Sequence, residues 1–253
     1  MVVRAVAQGI TQGDIHELDI TLLKSPPSRQ YSAKEDLLVI GTPVYSGRIP
    51  GLATQRLKKL QGNKTPVIAI TVYGNRAYDD ALLELCDCCT GQGFKVIGAG
   101  AFVGKHSFSS LDHPIAHDRP DEKDLLLAKT FGKQIRQTLR NTESVEHLQT
   151  PTIPGQNPYK PEMHPSGAAG GTDPALCIHC GQCNAHCPAH TIRMTGDGPT
   201  TNPDNCIWCT ACVRNCPTGA RRIILPKIGE IAERLYNTCH ARKEPEWFLA
   251  STS

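Results

Sequence analysis

The sequence predicts an α/β domain built on a parallel sheet, followed by a small α+β domain assembled around a cysteine framework. Two observations carry this. In the first 140 residues, short apolar runs alternate with amphipathic helical stretches, the pattern of a parallel sheet covered on both faces. Farther on, Cys177-Ile-His-Cys180-Gly-Gln-Cys183-Asn-Ala-His-Cys187-Pro188 recurs as Cys206-Ile-Trp-Cys209-Thr-Ala-Cys212-Val-Arg-Asn-Cys216-Pro217, each cysteine 29 residues after its counterpart.

The elements follow in order. Residues 2–9 place Val2, Val3, Val6 and Ala7 on one helical face, with Gly9 near the end. His16–Leu23 alternates loosely and reads as a strand. Glu35–Ile40 and Thr65–Val72 are apolar runs of the kind that form buried parallel strands. A helix is expected near Leu52–Leu60 and another over Ala77–Gln92, with Ala81, Leu82, Leu85 and Cys89 inward. Phe94–Val103 is a further strand. Pro120 and Asp121 signal the start of a long helix to Arg140. These residues make up a first domain, 1–141.

Residues 142–172 change character: Pro151, Pro154, Pro158, Pro161 and Pro165 precede Gly167, Gly170 and Gly171, which reads as a semi-extended linker. A cysteine domain spans 173–225. A C-terminal helix and tail span 226–253, the helix over Pro226–Arg242 with Ile228, Ile231 and Leu235 on one face.

Both cysteine runs fit C-x2-C-x2-C-x3-C-P, in which three close cysteines hold one [4Fe–4S] cluster and the fourth ligates the other. One cluster is therefore assigned to Cys177, Cys180, Cys183 and Cys216, and the second to Cys206, Cys209, Cys212 and Cys187. Soft thiolates suit iron–sulfur clusters. Two structural zinc sites would leave the third cysteine of each run, and both prolines, without a reason. A disulfide framework fits poorly, because no secretory signal is evident and so dense a set of thiols reads as metal ligands.

Formal net charge is +3, which is no nucleic-acid footprint. Two clusters of roughly −2 each would bring it to about −1. No apolar run approaches the ~18 residues of a membrane span. The expected location is the cytoplasm.

In an open parallel sheet, ligands bind beyond the carboxyl ends of the strands. Two loops there each offer a tyrosine, a glycine and an arginine: Thr42-Pro43-Val44-Tyr45-Ser46-Gly47-Arg48 and Tyr73-Gly74-Asn75-Arg76-Ala77-Tyr78. Such loops suit a planar ring with a polar edge, and equally suit plain turn chemistry. Gly41–Pro50, Tyr73–Glu84, Gly98–Gly104, Arg119–Glu122 and the cysteine runs together resemble the flavodoxin–ferredoxin fusion family of anaerobes, the EFR-family ferredoxins. The resemblance implies a flavodoxin-like domain binding FMN, joined to a two-cluster ferredoxin. It implies that Thr42 to Arg48, and Tyr73, Gly74, Asn75, Arg76 and Tyr78, line the flavin ring. The sequence departs from that pattern at its start, where Met1 falls in the first helix and the first strand and its phosphate loop are not seen. An N-terminally truncated flavodoxin-like sheet is therefore expected, with FMN poorly held until about 15–20 upstream residues are restored.

Other signals are read as structural. Gly98-x-Gly100-x3-Gly104 has the wrong spacing for a nucleotide loop. Cys86, Cys88 and Cys89 read as packing thiols, His106, His113 and His117 as loop residues, and Trp208 as a shield over a cluster. The function expected is intracellular electron transfer between the clusters, FMN and a redox partner protein. The alternatives are a flavin-dependent reductase fed by the clusters and a cluster-only ferredoxin carrying a relic α/β interaction domain.

Overall fold

The computed structural model describes residues 1–24, 28–32, 36–162, 169–224 and 228–252. The chain forms two compact units. One comprises Met1–Leu18, Ser25–Glu162 and Leu235–Ser253, the other Asp19–Lys24 and Met163–Arg234.

The first unit begins with helix α1 (Val2–Ile10), which buries Val2, Ala5, Val6 and Gly9, the i, i+3, i+4, i+7 stripe of a helix lying on a core. Strand β1 (Arg29–Ser32) follows, then β2 (Leu38–Pro43), α2 (Gly51–Leu57), β3 (Leu60–Asn63) and β4 (Thr65–Tyr73). Helix α3 (Ala81–Gly91) leads to β5 (Phe94–Val103), then α4 (Glu122–Arg140) and the short β6 (Leu148–Gln149). The strands β2, β4 and β5 are parallel neighbours. All of β4 is buried except the half-buried Val72, and all of β5 except Lys95, which is why these runs are continuously apolar rather than alternating. Ile68 and Ile70 of β4 point into a core with Val6 of α1 and Phe131 and Ile135 of α4. Val67 and Ala69 point the other way, towards α3, which packs on β4 and β5 through buried Leu82, Leu85, Cys86 and Cys89. Helix α4 starts at a capping box. Asp121 Oδ1 accepts from Asp124 N at 2.9 Å, and Asp121 N donates to Asp124 Oδ2 at 2.9 Å.

In the second unit, β7 (Ala169–Thr172), α5 (Gln182–Ala185) and β8 (Ile192–Thr195) are followed by β9 (Gly198–Thr201), α6 (Ala211–Arg214) and β10 (Arg221–Ile224). Each element of the second trio lies 29 residues after its counterpart, so the cysteine repeat is a structural repeat. The halves are interlocked. Strand β7 pairs antiparallel with β10, and β8 with β9. Registers Arg221↔Thr172 and Ile192↔Thr201 are related by the same offset. Helix α7 (Ile228–Cys239) follows. The chain then returns to the first unit with β11 (Glu246–Leu249), antiparallel on β5, and β12 (Ser251–Thr252), antiparallel on β6. Trp247 anchors β11 by stacking on Phe131 and Phe102, with ring centroids 5.7 and 6.5 Å apart.

Several expectations change. The main sheet, in order β11-β5-β4-β2, is mixed, because the C-terminal tail supplies an antiparallel edge strand. His16–Leu23 forms no strand; Leu18 and Leu22 are exposed and the segment has no ladder partner. The helix expected from Ala77 starts at Ala81, because Asp79 adopts left-handed backbone (φ 43°), which a helix cannot continue through. The expected linker contains β6 and β7. The expected helix start at Pro226, and Pro165 and Gly167 of the linker, lie outside the described residues. Among the described residues no helix is long and apolar enough to cross a membrane.

Helices α1 and α4 approach until their backbones touch. A Cβ on Gly132 would lie 2.1 Å from Val6 O and 2.9 Å from Gly9 Cα, and backbone atoms cannot swing aside. Gly132→Ala gains about 1 kcal/mol of helix propensity but forces the helices apart, which costs about 1–3 kcal/mol. The net expectation is a lower denaturation midpoint for the first unit, followed by circular dichroism. An unchanged or higher midpoint would show that the helices separate freely.

Candidate functional site

The second unit holds two cavities, each lined by four cysteines. One is bounded by Cys206, Cys209 and Cys212 of the second run with Cys187 of the first; Ile192, Trp208 and Thr210 complete its wall. The other is bounded by Cys177, Cys180 and Cys183 with Cys216, and by His179 and Arg221. Each run thus supplies three sulfurs to one cavity and the fourth to the other. The fold produces this crossing because the third cysteine of each run sits on the four-residue helix α5 or α6 and the fourth leads into the strand pairing with the other half.

The backbone turns sharply between the cysteines. His179, Gly181 and His190 in the first half, and Trp208, Thr210 and Gly219 at the equivalent places, all have φ between 52° and 72°. For a side chain other than glycine this costs roughly 1–2 kcal/mol, and such strain concentrates at functional sites. Left-handed residues next to right-handed ones form backbone N–H concavities of the kind that suit anions. Thr191 N lies 3.4 Å from Cys187 Sγ as a donor, and the Arg221 guanidinium donates to Cys212 Sγ at 3.7 Å.

The thiols sit in unlike surroundings. Burial pushes Cys209 up to about 11, against a backbone bond from Ala211 and aided by the neighbouring Cys212, Cys187 and Cys206. Burial also raises Cys183. At Cys216 burial is outweighed: the backbone N–H of Arg221, the Thr218 hydroxyl and N–H, and the Ala220 N–H hold the thiol below its ordinary value. Metal ligation needs thiolates, so filling the first cavity must displace protons.

The donor set fits a sulfur-rich cluster. Besides four thiols, each cavity is lined by a residue with a buried polar atom that has no protein partner: Thr210 Oγ1 in one and Arg221 Nε in the other. Among the described residues no three His, Cys, Asp or Glu side chains are gathered as a single-ion site, His106, His113 and His117 included. His117 meets Ser109 and Lys105, and His113 packs edge-on against Tyr236. Cys86 and Cys89 are core thiols, Cys86 pushed up to about 12 by burial. Sequence patterning does not single out Thr210 or Arg221; only the 29-residue offset, which sets them against Gly181 and Ile192, does so.

The loops expected to meet a flavin ring are brought together at the carboxyl ends of β2 and β4. Asp80 N donates to Gly47 O at 3.1 Å. The polar groups of Arg48, Asn75, Arg76 and Tyr78, however, are engaged within the chain. Arg48 forms a two-pronged pair with Glu84 (both 2.7 Å), and its guanidinium lies 4.8 Å from the Tyr159 ring centroid. Gln156 N and Lys160 N donate to Asp80 at 2.9 and 2.8 Å, fastening the expected linker onto this end of the sheet. Asn75 donates to the carbonyls of Cys239 and Ala241 at 2.5 and 2.7 Å. Arg76 pairs with Asp79, and Tyr78 donates to Glu246 at 2.7 Å. Tyr73 packs edge-on against Tyr78 at 5.5 Å, and burial raises its hydroxyl to about 12. Ser46 and Gly47 form a tight left-handed turn, and His106 presses on Gly74. Thr42 keeps a buried, unpartnered hydroxyl, while Pro43 ends β2 and Val44 N bonds back to Val72 O at 3.0 Å. As the chain stands, Arg48, Asn75, Arg76 and Tyr78 are turned to partners within it.

Arg48→Ala removes both guanidinium bonds from the buried Glu84 carboxylate, which also accepts from Ile49 N. A loss of about 1–3 kcal/mol is expected, with faster hydrogen exchange at the amides of Gln156 and Lys160. Unchanged exchange there would show that the segment holds itself in place.

A family model described as a 4Fe-4S dicluster domain matches residues 170–217. That span runs from β7 through Pro217 and includes all eight cavity cysteines. No curated protein matches the chain. The chain contains a ferredoxin-like iron–sulfur domain.

Proposed function

We propose that the protein is an electron carrier in which Cys177, Cys180, Cys183 and Cys216 hold one [4Fe–4S] cluster and Cys206, Cys209, Cys212 and Cys187 the other. The observation that carries this reading is the crossed lining of the two cavities, within the span of the 4Fe-4S dicluster model. When bound, such clusters supply reversible one-electron chemistry. The chain's own residues supply the thiolates, the backbone N–H groups and the walls. Ile192, Ile207 and Trp208 exclude water from the first cavity. Electrons are exchanged with a redox partner protein, and the expected setting is the cytoplasm.

The finer reading, with electrons passing to or from FMN on the Thr42–Arg48 and Tyr73–Tyr78 loops, finds its polar side chains largely engaged. The guanidinium of Arg48 and the amide of Asn75 are both committed inside the chain. That favours the cluster-only ferredoxin with an α/β interaction domain over a flavin-dependent reductase.

Anaerobically prepared protein should hold about eight iron and eight sulfide. Stoichiometric zinc without sulfide would overturn the reading. Cys187→Ala should remove the magnetic-resonance signal of the Cys206–Cys212 site and spare the other, and Cys216→Ala should do the reverse. The opposite pattern would show that each run closes its own site. Titrating FMN with the chain should leave flavin fluorescence unquenched at micromolar protein. Tight quenching would mean that residues 155–160 and 239–246 yield to the flavin.

A further inference from the structure

Arg221 is 2% exposed, and among the described residues no carboxylate pairs with it. A buried charge without a partner is costly, so its surroundings need an explanation. Its guanidinium donates to Thr172 Oγ1 at 2.7 Å, to Thr201 Oγ1 at 2.8 Å and to Cys212 Sγ at 3.7 Å, while Nε has no partner. Both hydroxyls hand their own protons to carbonyls, Thr172 to Pro199 O and Thr201 to Gly170 O. They are therefore pure acceptors towards Arg221, and neutral. Gly170 makes the room: a Cβ there would lie 2.5 Å from the guanidinium and 2.9 Å from Cys212 Sγ.

The position is informative in two ways. Arg221 lines the cavity of Cys177, Cys180, Cys183 and Cys216, yet bonds a cysteine of the other cavity. It touches both sites. Ile192, 29 residues earlier, opens β8 as Arg221 opens β10, in the equivalent register, and is buried in the Cys187 cavity. The charge in the second half is thus a departure from the repeat, set in a socket that Gly170 opens.

We propose that Arg221 is the shared counter-charge of the two clusters and raises the reduction potential of both. The inference rests on the electron-transfer reading above. Each thiolate-ligated cluster is anionic, and taking up one electron adds a further negative charge with no bond broken and no proton moved. A fixed cation beside both sites favours the reduced form of each. Burial keeps the dielectric low and the salt screening weak, so the effect is large for a single residue. Arg221 acts here as a tuning residue; the thiolates remain the ligands.

The test is a redox titration with dithionite as the one-electron reductant, monitored by magnetic resonance, on wild type, Arg221→Ile and Arg221→Lys, each first assayed for iron and sulfide. Arg221→Ile should retain both clusters and titrate at lower potential for each. At a fixed potential the reduced-to-oxidised ratio should fall at least about tenfold, which is 59 mV for one electron. Arg221→Lys should stay close to wild type. Full loading with unchanged potentials in Arg221→Ile overturns this inference alone, as does an equal shift in Arg221→Lys; wild type without iron and sulfide overturns the reading beneath it. If Arg221→Ile fails to load, protein carrying 15N-labelled arginine decides. Coupling of guanidinium nitrogen to a reduced cluster, lost in Arg221→Lys, supports the placement, and its absence in wild type overturns it.

Discussion

A run of three cysteines within seven residues can wrap only one side of a cavity, and the rest of the second unit follows from that limit. The fourth sulfur comes from the other run, so neither half completes a site alone. The strand pairing obeys the same exchange, β7 with β10 and β8 with β9. One buried apolar cluster in this unit consists of Cys183, Cys187 and Ile192, with Ala189 and Cys212 against it. On the reading proposed above, ligands make up much of this core, and metal binding and folding are then one equilibrium. On the same reading, strained left-handed residues such as Trp208 and Thr210 are tolerable because ligation would over-determine them.

The first unit is stabilised in the ordinary way, by aliphatic and aromatic burial between a sheet and its helices. Its distinctive feature is where the chain's own segments go. Residues 155–160 and 239–246 lie on the carboxyl ends of β2 and β4, the place where an α/β sheet of this kind offers a ligand crevice. The arginine and the asparagine that would recognise a polar ring edge instead recognise carboxylates and carbonyls of the same chain. A site is defined by free groups as much as by residue types, and residue types alone cannot reveal that these are occupied.

What was legible in the sequence follows the same division. Ligand spacing is a local constraint, so the cysteine runs announced the cavities directly. Strands β4 and β5 were legible because burial on both faces leaves a continuous apolar run. Helix α4 was legible from its cap. Non-local pairing left no comparable mark. Glu246–Leu249 became a sheet strand because Trp247 finds Phe131 and Phe102 from more than 100 residues away. His16–Leu23, with a fair alternation, found no ladder. The polar residues of 156–160 looked like linker because their partners, Asp80 and Asp87, lie on the far side of the first unit's sequence.

The departures from the repeat are where the two cavities acquire different characters. His179 against Trp208, Gly181 against Thr210 and Ile192 against Arg221 each put unlike chemistry at equivalent places. Cluster potential responds to charge, hydrogen bonds to sulfur and solvent access. On the reading proposed here, the first two pairs act on one site at a time and so separate the potentials of the two clusters. Arg221 is different in kind, because it lines one cavity and bonds a sulfur of the other. A charge shared in that way moves both potentials together and leaves the step between them largely intact. The level at which the pair accepts electrons, and the drop from one site to the next, are thereby set by different residues and can vary separately.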